Sequence, residues 1–139
     1  MKSFKTLIKL QKTFVDEQRQ QLMRLLDHLE QIERLIVQLE MIKAHEKAAA
    51  AKDVVARFTY GAFLKGVIVK GRALEKNRQM TEMAIRAARE KLAELFEEQK
   101  RYEIAEEQRL EKEAKEERRL ETLELDEIGG TRHERKKAG

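Results

Sequence analysis

The chain contains no proline in its 139 residues, and it carries two long apolar seams with helical spacing. Proline breaks a helix interior by removing an amide donor and clashing with the preceding turn. A chain without it can run helices of great length. The first seam is Leu22, Leu25, Leu29, Ile32, Ile36 and Leu39. Steps of three and four residues line these side chains along one stripe of an α-helix. The second seam has the same step and runs Leu74, Arg78, Thr81, Ile85, Ala88, Leu92, Leu95, Gln99 and Tyr102. So narrow a stripe suits a partner helix better than a broad globular core. The chain supplies that partner itself. The expected fold is all-α: a long antiparallel two-helix coiled-coil hairpin with an overhanging C-terminal helix.

Composition agrees. Charged residues make up 40% of the chain and aromatics only 5%, as in long solvated helices with a thin core. No apolar run approaches the roughly 20 residues needed to span a bilayer. Cysteine is absent, so there is no disulfide scaffold, no thiolate nucleophile and no thiolate zinc site. That absence agrees with a cytosolic setting.

Between the seams the pattern changes. Ala48 to Lys52 suit the end of a first helix, and Asp53 suits a cap on the succeeding turn. Gly61, Gly66 and Gly71 recur every five residues, which matches no helical face. Each costs roughly 0.8–1 kcal/mol inside a helix relative to alanine. The expectation is one coiled-coil domain over 1–139. Helix one covers about 3–52, the turn about 53–60 and helix two about 61–128. Gly129 and Gly130 then end the helix, and a disordered basic tail fills 129–139. A short β-hairpin in the glycine-containing stretch is the competing reading, but so few residues make paired strands unfavourable.

At the start of the chain Leu7, Leu10, Phe14, Gln18, Leu22 and Leu25 step by three, four, four, four and three. The extra residue reads as a stutter that locally unwinds a supercoil. This opening stretch is also basic, with Lys2, Lys5, Lys9 and Lys12 and no acid before Asp16. It is read as a coiled-coil terminus with solvated lysines, ahead of an interfacial anchor or a targeting segment. Charge differs along the chain. Residues 1–52 carry 10 Lys/Arg and 7 Asp/Glu, 53–96 carry 9 and 5, and 97–139 carry 11 and 14. If the hairpin turns near residue 55, residue i faces roughly residue 110 − i, and the basic start lies beside the acids from Glu97 to Glu111. Each exposed pair is worth about 0–1 kcal/mol, but together they favour the antiparallel arrangement.

Little in the sequence points to catalysis, a cofactor or a metal. His28, His45 and His133 stand far apart with no ligand spacing. The adjacent acids Glu97/Glu98, Glu106/Glu107 and Glu116/Glu117 diverge by about 100° on a helix and cannot work as a facing acid–base pair. The glycines lack a phosphate-binding context. Nucleic-acid binding rests only on the basic end, with little aromatic interleaving.

Several segments together resemble a known family. They are Lys2, Phe4, Leu7, Ile8, Leu10, Phe14, Asp16 and Glu17; Arg57, Phe58, Tyr60, Phe63 and Leu64; Phe96 to Glu103; and Leu125 to Ile128. In this order and at this chain length they are similar to the FliJ family, coiled-coil proteins of the bacterial flagellar type III export apparatus. The resemblance covers essentially the whole chain. It implies a non-catalytic, central-stalk-like coiled coil, similar to that of the rotary ATP synthase gamma subunit. Such a protein links a FliI-like hexameric export ATPase to a FlhA-like export gate protein. A FliH-like regulator and export chaperones are implied as further partners, and no small-molecule substrate. The implied location is cytoplasmic and peripheral, at the cytoplasmic face of the inner membrane at the flagellar base. Carried over by position, the export-gate contact would be Phe63, Val67, Lys70 and Leu74. The ATPase-ring contact would be Phe4, Leu7, Leu10, Phe14, Leu120, Leu125 and Ile128. Two other readings stay open: a coiled-coil adaptor of a virulence-type secretion system, and a helical protein that binds a membrane surface or nucleic acid.

Overall fold

The structure, a computed structural model, describes residues 3–138, with the backbone alone at 134 and 136–138. Two helices account for nearly all of it: α1, Lys5–Lys52, and α2, Val54–Ala138. No strand occurs among the described residues. The two helices pack against each other as an antiparallel hairpin, as their apolar stripes demand.

The chain divides into two compact units, each built from both helices. One comprises Met1–Thr13 and Phe96–Gly139, the other Phe14–Leu95. Within the second unit, Gln18 Nε2 donates to the Ala88 carbonyl at 3.2 Å. A Cβ on Gly71 would lie 3.8 Å from Leu39 Cδ2. As one partner's number rises, the other's falls, which is the antiparallel sense. Every residue of the first seam is buried or half-buried, with Ile32 the most enclosed at 2% exposure. Across from it Val67, Thr81, Ile85 and Ala88 are buried, and Leu74 and Leu92 half-buried. Arg78 sits in this stripe because Glu75 and Glu82, one turn to either side, both pair with its guanidinium. Thr81 satisfies its hydroxyl locally, donating to the Asn77 carbonyl at 2.8 Å.

The turn is much tighter than the sequence predicts. Only Asp53 leaves helical geometry, whereas the sequence places the turn over 53–60 and the start of helix two near 61. The reason lies in two side chains. Asp53 Oδ1 accepts from the Val55 amide at 3.0 Å and caps the start of α2. Arg57 reaches back to α1, donating to the carbonyls of Ala50 at 3.1 Å and Ala51 at 3.3 Å. Those are acceptors that the end of a helix otherwise leaves unpartnered. With both ends satisfied, the chain needs no longer loop.

Two further expectations are corrected. The first is the stutter. In the first unit Phe4, Ile8 and Gln11 turn inward; in the second Val15, Gln18 and Leu22 do. These step by four and three without an extra residue, while Leu7, Leu10 and Phe14 are 42%, 50% and 40% exposed. Polar partners explain the shift: buried Gln11 donates to Glu98 Oε2 at 3.4 Å, and Glu98 Oε1 accepts from the Tyr102 hydroxyl at 2.9 Å. The second is the end of α2, which runs through Gly129 and Gly130 to Ala138. No glycine among the described residues has positive φ, so the left-handed cap that ends a helix does not form there. Two glycines cost the helix about 1 kcal/mol each but do not forbid it.

Candidate functional site

No helix among the described residues is long and apolar enough to cross a membrane. No three His, Asp or Glu side chains among them gather as a metal-ligating group. The residues assigned to partner contacts fall in both units.

In the Phe14–Leu95 unit, the four residues proposed for a gate contact do not form one open patch. Val67 is buried at 8% exposure and belongs to the helix–helix core. Phe63 and Leu74 are half-buried, and Lys70 is exposed. The Phe63 ring stacks on Tyr60, with centroids 6.4 Å apart. Lys70 and Leu74 share a surface cleft of about 360 Å³ with Leu35, Leu39, Ile42 and Ala73. Leu35 and Ile42 stay 49% and 50% exposed at its rim. The cleft thus adds α1 side chains that sequence reasoning did not assign. Their signal was present, because Leu35 and Ile42 are large apolar residues close beside the first seam.

The same unit exposes a second apolar stripe on α2 that the sequence reading missed. Phe58 is 92% exposed, Val54 and Val55 are each 72%, and Val69 is 67%. At 100° per residue these project away from the side that buries Val67 and Ile85. A period-3.6 pattern over 54, 58, 62 and 69 was readable, but a turn assigned across 53–60 hid it.

In the other unit, the candidate ring residues fall into two groups. Phe4 is half-buried; Leu7 and Leu10 are exposed. Leu120, Leu125 and Ile128 are 49%, 68% and 53% exposed, on a stretch of α2 that is exposed at every residue from Leu110 to His133. Phe14, in the Phe14–Leu95 unit, is also exposed.

An ionic clasp holds the start of α1. Buried Glu106 accepts from the Phe4 amide at 2.8 Å through Oε2 and from the Ser3 hydroxyl at 3.2 Å through Oε1. Arg109 donates to the same carboxylate at 2.7 and 3.2 Å and reaches Glu113 at 2.7 Å. The Arg109 hydrogen bond and the Phe4 amide hold the Glu106 carboxyl down at about 2, against a smaller opposing effect of burial. Through this carboxylate α2 supplies the acceptor that the first turn of α1 lacks.

A family model described as "Flagellar FliJ protein" matches residues 1–138. No curated protein and no solved structure matches the chain.

Proposed function

The chain belongs to the flagellar FliJ protein family, and from that membership we propose that it works as a central-stalk-like coiled coil joining a hexameric export ATPase to the membrane export gate. Membership itself makes it a component of the flagellar export apparatus, with a part in flagellum biogenesis and protein export. The finer reading is that one unit meets a FliI-like ATPase ring and the other a FlhA-like gate protein. A FliH-like regulator and export chaperones are further partners. The role is non-catalytic: the helices transmit position and force, and chemistry stays with the ATPase. On this reading the protein works in the cytoplasm, against the inner membrane at the flagellar base.

The observation that carries the proposal is the near-complete family match, 1–138 of 139 residues. Exposed apolar side chains support it. Leu7, Leu10, Leu120, Leu125 and Ile128, all in one unit, are available to line a ring contact. For the gate, the accessible members are Phe63, Lys70 and the rim of the cleft that Leu74 lines. Val67 is buried in the helix–helix core, and truncating it removes packing worth about 1–2 kcal/mol.

A clean test therefore leaves Val67 alone. Phe63→Ala combined with Lys70→Glu should weaken binding to the cytoplasmic part of the gate protein by about tenfold or more, the usual scale for losing an interface anchor. Helicity by circular dichroism and binding to the ATPase ring should stay near normal. Full gate binding by the double variant, or equal loss of both partners, would remove the assignment.

A further inference from the structure

The hairpin tip is strongly basic. Residues 47–74 contain Lys47, Lys52, Arg57, Lys65, Lys70 and Arg72, and one acid, Asp53. Their net charge of +5, six bases less one acid, exceeds the +4 of the entire chain. None of these six cations is in an ion pair among the described residues. The only acid is engaged with a backbone amide as the cap of α2. Running through this basic field is the exposed stripe of α2: Val54, Val55, Phe58, Ala62 and Val69. Its side chains face away from the helix–helix core, so packing of the hairpin leaves them uncovered.

We propose that this tip docks on the anionic headgroup surface of a lipid membrane. Phe58, Val54 and Val55 enter the interfacial layer, while Lys65, Lys70 and Arg72 lie against lipid phosphates. An amphipathic helix with an apolar stripe and basic flanks binds a bilayer interface in this way. Each Lys or Arg held near an anionic surface adds attraction that acts over about a Debye length. Lys65 lies within the stripe, where its long stem can stay among the apolar side chains while the ammonium reaches the headgroups.

Two observations favour lipid over an acidic protein partner. First, the stripe protrudes. Phe58 is 92% exposed, and a Cβ built on Gly61 or Gly66 would meet nothing within 4 Å. A protruding surface gives a rigid partner few notches to fill, whereas a fluid interface closes around it. Second, the cations are not gathered at one point: Lys47 and Lys52 are on α1, and Lys65, Lys70 and Arg72 are on α2. Attraction to a charged plane uses such a spread; recognition of one acidic segment gathers the cations beside it. The tip shares one cation, Lys70, with the gate assignment, and the variants below leave Lys70 in place.

The test is co-sedimentation of the full chain with vesicles of phosphatidylcholine and phosphatidylglycerol in equal parts, against vesicles of phosphatidylcholine alone. The chain should bind the anionic vesicles, bind the neutral ones weakly, and be released by high salt. Phe58→Ser should weaken partitioning by about tenfold, from the loss of one buried aromatic. Lys65→Glu with Arg72→Glu should do at least as much. All three positions are exposed, so circular dichroism should be unchanged. The chain has no tryptophan, so Phe58→Trp gives a single reporter whose emission should shift to the blue on the anionic vesicles. Equal binding to both vesicle types, no blue shift, or tip variants that bind like the parent would overturn the proposal. So would binding that is lost instead when Lys5, Lys9 and Lys12 become glutamate. Capture of an acidic amphipathic peptide without vesicle binding would overturn it too, assigning the stripe to a protein partner.

Discussion

Glu106 occupies a position where a coiled coil ordinarily buries an apolar side chain, and four hydrogen bonds from Phe4, Ser3 and Arg109 make that possible. Its carboxyl is held at about 2 against an ordinary value of 4.5, chiefly by Arg109 and then by the Phe4 amide. A depressed folded-state value means that the charged form stabilises the fold. That contribution is fully present above 4.5 and is lost as pH falls from there through about 2. Thermal melts over this window should therefore show a steeper acid loss for the parent than for Glu106→Gln. Parallel curves for the two would contradict the clasp. Neither Glu106 nor Gln11 was legible as an interior residue, because pattern reading follows apolarity and both are polar. The phase was nevertheless there: counting down from Leu22 by fours and threes reaches Gln18, Val15, Gln11, Ile8 and Phe4. Leu7, Leu10 and Phe14 drew attention because they are apolar, although they lie one position off that phase.

The seams of α1 and α2 were readable because their periodicity extends over many turns, and all fifteen residues named in the sequence lie inward in the structure. The turn and the two glycine-bearing stretches were not. Glycine's helix cost is about 1 kcal/mol, which a long cooperative helix absorbs, and the compact turn depends on Arg57 reaching two carbonyls of the preceding helix. At Gly61 and Gly66 a methyl group would meet open space, and neither residue has positive φ. Gly61→Ala with Gly66→Ala should therefore stabilise the protein by roughly 1–2 kcal/mol in urea unfolding, about 0.5–1 from each site. A neutral or destabilising outcome would show that α2 is not continuously helical through this stretch.

The molecule as a whole offers helices and surfaces, with the cleft lined by Leu35, Ile42 and Leu74 and the basic tip in one unit and most of the proposed ring residues in the other. Family-level identity was legible from the order of short, individually weak segments. The contact residues were less so, because a helix sequence does not say which side of a stripe a partner will take: Val67 lies in the core, while Phe58 lies outside it. The central proposal is that one chain connects two machines, which requires both to be held at the same time. Size-exclusion chromatography of the export ATPase hexamer, the cytoplasmic part of the gate protein and this chain tests that most directly. The account predicts that ATPase and gate co-elute when the parent chain is present and separate when it is omitted or carries Phe63→Ala with Lys70→Glu. Two binary complexes that compete for the chain, with no ternary peak at any ratio, would contradict it.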